Sequence, residues 1–102
     1  YLLDTDCPEN HDSDRTLTDH LYGGDRRYRF CQETVLGIGG VRLLRRLGHV
    51  NLSVFHMNEG HAALLSLALL EERLGSSDLG SATELDIEAV RRQCVFTTHT
   101  PV

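Results

Sequence analysis

Val50-Asn51-Leu52-Ser53-Val54-Phe55-His56-Met57-Asn58-Glu59-Gly60-His61, running on into Ala62-Ala63-Leu64-Leu65-Ser66-Leu67-Ala68-Leu69-Leu70, is the stretch that decides the fold. Val50, Leu52 and Val54 alternate with Asn51 and Ser53 ahead of Phe55, the period of two that marks a strand, here ending near His56-Met57. Asn58 is a good N-cap and Glu59 suits the positive end of a helix, so the spacing predicts a helix over Glu59 to Leu74, stopped by Gly75. Ala62 to Leu70 is apolar on nearly all sides, with only Ser66 interrupting, and such a helix is usually buried on several faces. A three-stranded unit cannot cover it, so it is expected to sit inside a larger α/β protein.

Upstream, Tyr28, Cys31, Val35, Ile38, Val41 and Leu44 recur at three- and four-residue spacings. They predict a helix over Arg26 to Leu47, about 33 Å long at 1.5 Å per residue, with Gly48 as its stop. Ahead of it, Tyr1-Leu2-Leu3 reads as a strand and the Asp-, Asn-, Pro- and Gly-rich Cys7 to Asp25 as a long loop. Downstream, Gly75 to Ser81 reads as a polar linker, Glu84 to Gln93 as a short helix capped by Thr83, and Cys94-Val95-Phe96 as a third strand. Strand, helix, strand, helix, helix, strand implies an α/β fold: a parallel sheet with right-handed helical crossovers. Residues 1–102 are expected to form a single partial domain, since the chain opens in a strand instead of at Met and stops directly after another.

Composition narrows the function. Hydrophobic residues make up 40% and charged residues 25%, the mix of a globular protein. No apolar run approaches the roughly 20 residues that cross a bilayer, so no membrane partner is expected. The net charge of -5 lacks the basic footprint of a nucleic-acid binder. Cys7, Cys31 and Cys94 are odd in number and widely spaced, and nothing at the start reads as a secretory signal, which favours a reducing, cytoplasmic setting.

In open parallel sheets ligands bind beyond the carboxyl ends of the strands. Asp4-Thr5-Asp6, Asn58-Glu59-Gly60-His61 and Thr98-His99-Thr100 each follow an expected strand, and Tyr22-Gly23-Gly24-Asp25 enters the first helix from the same side. Four polar clusters are thus expected on one rim, offering the carboxylates, hydroxyls, amide and imidazoles that hold sugar hydroxyls. Plainer roles fit the same residues: a helix cap with a solvated His at 58–61, a turn with a backbone-bonded His at 98–101, a glycine turn at 22–25, and a solvated acidic loop from Asp4 to Asp14. Gly37-Ile38-Gly39-Gly40 lacks the dinucleotide-binding spacing and lies inside a helical pattern, so its small residues are expected to permit close helix packing. His56 to His61 meets neither the HExxH nor the HxxEH zinc spacing, and no metal is expected.

Taken together, YLLDTD at Tyr1 to Asp6, LTDHLYGGDRRYRFCQE at Leu17 to Glu33 running into LGIGGVRLLRRLG, FHMNEGHAA at Phe55 to Ala63, and CVFTTHTPV at Cys94 to Val102 resemble the short-type α-glucan phosphorylases that act on glycogen or maltodextrin. The resemblance implies a partial Rossmann-like sheet from the N-terminal catalytic domain of a GT-B glycosyltransferase. It also implies an enzyme that uses inorganic phosphate to release glucose 1-phosphate from the ends of an α-1,4-glucan. Its pyridoxal phosphate would be attached to a Lys outside this segment, and these 102 residues contain no Lys and no cofactor-binding residue. By the same resemblance His99 contacts the glucose at the cleavage site near its 6-hydroxyl, and Thr98 stands where long-type enzymes have Asn. Glu59 and His61 line the pocket, in a Glu-Gly-His sequence where the long-type pattern is Asp-Thr-His. Tyr22, Gly23 and Gly24 form a gate loop with Asp25 as its polar contact, and Arg29 is a pocket cation expected to pair with Glu59. The implied partners are glucan, phosphate and the remainder of the same polypeptide, and the segment alone is expected to be inactive. Two other readings compete. A free-standing carbohydrate-binding module would be expected to show an aromatic platform, yet there is no Trp and only three Tyr and three Phe. A metal-dependent hydrolase would be built on His56, Glu59 and His61.

Overall fold

The computed structural model describes residues 1–75 and 78–99. Helix α1 (Arg26–Thr34) passes through a π-helical turn (Val35–Gly39) into α2 (Gly40–Arg46). Strand β1 (Phe55–Asn58) follows, then a 3-10 turn (Gly60–Ala62), α3 (Leu65–Leu74), a second 3-10 turn (Leu79–Ser81), α4 (Glu84–Arg91) and strand β2 (Cys94–Thr97). The strands pair in parallel, Phe55 opposite Cys94 and Asn58 opposite Thr97, so the α/β reading holds. Among the described residues the sheet has two strands, not the three expected.

Pairing explains the difference. At this register residues 50–54 would face residues 89–93, which belong to α4 and the turn after it, so no extended backbone lies opposite them. Val50 and Val54 therefore remain outside the strand and exposed. Tyr1-Leu2-Leu3 likewise has no ladder partner among the described residues; the Tyr1 hydroxyl bonds His49 Nε2 at 2.7 Å instead. A period of two describes an extended chain, but only hydrogen bonds to a neighbour make it a strand.

The core joins α2, β1, α3 and α4 through Val41, Phe55, Met57, Leu65, Ala68, Leu69 and Val90. Phe55 and Met57 point inward from β1 while His56 and Asn58 point outward. On α3 the buried stripe is Leu65, Ala68 and Leu69, three and four residues apart, and Leu67 is 40% exposed, so the helix is covered on one face among the described residues rather than on several. Charged side chains tie the layers at their margins. Arg45 of α2 grips Glu72 of α3 through two bonds of 2.9 and 3.1 Å and stacks over the Phe55 ring, and Arg73 of α3 bonds Asp86 of α4 at 2.8 Å. Thr83 caps α4 as expected, in a reciprocal capping box with Asp86. The backbone and hydroxyl of Thr83, then Arg73, hold the Asp86 carboxyl below the usual carboxylate range. Gly48 and Gly75, the two expected helix stops, both adopt positive φ just beyond α2 and α3.

The long helix is continuous where predicted but carries the π turn at its glycines. Gly37 is buried there against the start of α3: a Cβ at this position would stand 2.8 Å from the Leu65 amide nitrogen and 3.1 Å from Leu64. Close helix packing thus rests on Gly37 alone, since Gly40 has open space around it. Gly→Ala inside a helix ordinarily stabilises by up to about 1 kcal/mol. At Gly37 the sign is expected to reverse, with an overpacking cost of about 1–3 kcal/mol. Thermal unfolding should show a lower midpoint for Gly37→Ala and an unchanged or higher one for Gly40→Ala.

Candidate functional site

The two strands end side by side, and that shared end organises the candidate site. Asn58 closes β1 and does not cap a helix: the next two residues enter a 3-10 turn, and α3 starts only at Leu65. Its side chain is therefore available to the neighbouring strand, and its Oδ1 lies 2.6 Å from His99 Nε2. One residue on, the Glu59 carboxylate accepts the backbone N–H of His99. Further back along the ladder, His56 Nε2 meets the Thr97 hydroxyl at 2.5 Å. Three contacts from β1 and its end thus fasten Thr97, the last residue of β2, and His99 just beyond it. Thr100, the last polar residue of that cluster, lies outside the described residues.

Glu59 and Tyr22 are the non-glycine residues with positive φ, at 62° and 56°, among the described residues. With ψ of -170°, Glu59 occupies a region that is close to glycine-only, at a cost of about 1–3 kcal/mol. Such strain clusters where a side chain must be aimed, and here the aimed group is the carboxylate that holds His99.

The segment that carries Tyr22 reaches the same neighbourhood by a different route. Gln32 of α1 donates from Nε2 to the carbonyls of Leu17 and His20, both at 2.8 Å, and the Tyr28 hydroxyl donates to the Thr16 carbonyl at 2.6 Å. These bonds pin residues 16–20 along α1, and Tyr22 then lies against the His61 ring with centroids 5.0 Å apart. A Cβ at Gly24 would collide with the Tyr28 side chain at 2.6 Å, and the residue has φ of +75°, so the turn requires glycine there. Tyr22, Arg29 and His61 share the wall of a cavity of about 500 Å³ with five leucines, among them Leu2, Leu3 and Leu36, and with the polar side chains of Thr18, His20, Gln32 and Glu33.

The predicted residues therefore fall into two adjoining groups: Glu59, Thr98 and His99 at the strand ends, and Tyr22, Arg29 and His61 around the cavity. His61, two residues from Glu59, links them. Two expectations are corrected, the Arg29–Glu59 pair and the place of Asp4-Thr5-Asp6 on the rim. Arg29 forms no ion pair with Glu59; it lines the cavity, while Glu59 turns to His99. Asp25 accepts the Tyr28 amide at 2.9 Å as the N-cap of α1. Asp4-Thr5-Asp6 does not join the rim, because its side-chain bonds run within its own loop, to Thr18 and Arg15. There the Asp6 amide, then the Thr18 hydroxyl, holds the Asp4 carboxyl below its ordinary range.

Among the described residues no three His, Cys, Asp or Glu side chains are grouped to hold a metal ion. His56 and His61 face Thr97 and Tyr22 respectively. All three cysteines are free thiols, and burial raises that of Cys94. No helix among the described residues is long and apolar enough to cross a membrane. Pyridoxal phosphate needs a Lys amine for its Schiff base, and with no Lys in the chain the residues present do not fit that attachment.

Comparison with known proteins gives this arrangement its context. Glycogen phosphorylase of Mycobacterium tuberculosis (strain ATCC 25618 / H37Rv) is 48% identical over 105 residues, covering 99% of this chain. Along its length the chain is similar to glycogen and maltodextrin phosphorylases. Maltodextrin phosphorylase of Thermococcus litoralis is 44% identical over 106 residues and glycogen phosphorylase of Aquifex aeolicus 39% identical over 102, each covering 100% of the chain. The chain spans only 12% of the first two phosphorylases and 14% of the third. No family model and no solved structure matches it.

Asn58 was placed on the rim, but its contact with His99 was missed because its sequence signature, Asn before an acidic residue and an apolar run, is also that of a helix cap. For Asp25 the cap is expected to carry measurable stability. Asp25→Ala should lower stability by about 1 kcal/mol in thermal unfolding, and Asp25→Asn, another good cap, should restore most of it.

Proposed function

We propose that this chain forms one wall of the glucose-binding pocket of an α-glucan phosphorylase, within a Rossmann-like domain of the GT-B type. In the complete enzyme, inorganic phosphate would release glucose 1-phosphate from the ends of an α-1,4-glucan, and the setting would be cytoplasmic. The observation that carries this reading is the fastening of His99 to Asn58 and Glu59 at the carboxyl ends of the parallel pair, where such sheets bind ligands. Similarity to phosphorylases over nearly every residue supports it.

In this proposal the chain positions the sugar and supplies no phosphoryl chemistry. His99 faces the glucose at the scissile bond, with Glu59 and His61 beside it. Tyr22, Gly23, Gly24 and Asp25 border the entrance, and Thr98 and Arg29 complete the polar wall. Hydrogen bonds that shorten as the sugar ring flattens and gains positive charge lower the barrier without any bond to the protein. Pyridoxal phosphate would be held by a Lys elsewhere in the polypeptide and contributes no step that these residues carry. A carbohydrate-binding module would use the same polar wall without turnover.

Two measurements test the phosphorylase reading. In the complete phosphorylase, His99→Ala should lower kcat on the order of tenfold, the worth of one hydrogen bond made in the transition state. Unchanged kcat and KM would overturn the assignment of His99. The isolated 102 residues should release no glucose 1-phosphate from maltodextrin; release by them would mean that the chemistry lies within this chain.

A further inference from the structure

We propose that Asn58 is the positioning residue for His99: it holds the imidazole in the tautomer that carries its proton on Nε2 and leaves Nδ1 as an acceptor for a sugar hydroxyl. The inference rests on the glucose-pocket reading above and deepens it. Asn58 Oδ1 stands 2.6 Å from His99 Nε2, and an amide oxygen can only accept, so Nε2 must donate. In a neutral imidazole the other nitrogen then carries a lone pair. A hydroxyl of the glucose, the 6-hydroxyl on the phosphorylase resemblance, would donate to it.

The anchoring has two points. The parallel register sets Asn58 opposite Thr97, two residues before His99, so an amide on the outward face of β1 reaches the imidazole. The Glu59 carboxylate takes the His99 backbone N–H, so ring and main chain are gripped by consecutive residues of one neighbouring segment. The side chain at 58 also matters by type. A carboxylate there would favour the imidazolium, in which both nitrogens donate and the acceptor is lost. A neutral amide holds the ring without adding charge.

The test uses the complete phosphorylase in the direction of glucan synthesis, comparing glucose 1-phosphate with 6-deoxyglucose 1-phosphate as donors. Asn58→Leu, nearly equal in size, should lower kcat/KM for glucose 1-phosphate by about tenfold. It should also shrink the enzyme's preference for the 6-hydroxylated donor, and His99→Ala added to it should cost little more. Should Asn58→Leu fail to fold, Asn58→Ala at this exposed position reads the same comparison. The proposal is overturned if the variant slows both donors equally with its preference intact, since that is a structural effect alone. It is also overturned if Asn58 variants match the wild type while His99→Ala is slow, which leaves the glucose-pocket reading standing. If His99→Ala is without effect as well, that reading fails too.

Discussion

The parallel ladder between Phe55–Asn58 and Cys94–Thr97 governs where every polar group of the candidate site can stand. Because the strands run the same way and end within one residue of each other, the segments that leave them emerge together. Parallel pairing requires a long crossover, and α3 and α4 supply it while burying the inward face of β1. The outward face is left to His56 and Asn58, whose side chains reach across to Thr97 and His99. A slip of one residue would exchange these polar groups with Phe55 and Met57 and lose core and site together.

A second constraint brings the segment that carries Tyr22 to that end. The backbone at Gly37 approaches Leu64 and Leu65 closely enough to exclude a side chain, which fixes the long helical segment against the start of α3. His61 lies just ahead of that contact, and α1 carries residues 16–20 on its flank through Gln32 and Tyr28. Tyr22 therefore meets His61 through a chain of packed backbone and not by an isolated surface contact.

Much of this was legible in the sequence, and the failures have one physical source. Helices were readable from three- and four-residue spacings, with stops at Gly48 and Gly75 and a cap at Thr83, because helical hydrogen bonds are local. Strands were less so: Val50 to Val54 and Tyr1 to Leu3 have the right alternation or apolarity but no partner among the described residues. The polar clusters at Glu59 and His99 were marked by position after a strand, and the structure joins them. Nothing local revealed that Arg29 would line a cavity instead of pairing with Glu59, since that depends on which distant neighbour wins. Asn58 illustrates the same limit, being an equally good residue for a cap and for a contact across the sheet.

What emerges is one histidine, His99, whose ring is held by Asn58 and whose main chain is held by Glu59, adjacent residues of the neighbouring strand end. The most direct measurement of the proposed role is a crystal structure of the full-length protein with a maltooligosaccharide and phosphate bound. The terminal glucose is predicted to place a hydroxyl within about 2.7–3.0 Å of His99 Nδ1, with Asn58 still holding Nε2. A terminal glucose bound beyond hydrogen-bonding reach of His99, Glu59 and His61 alike would contradict the assignment of this wall.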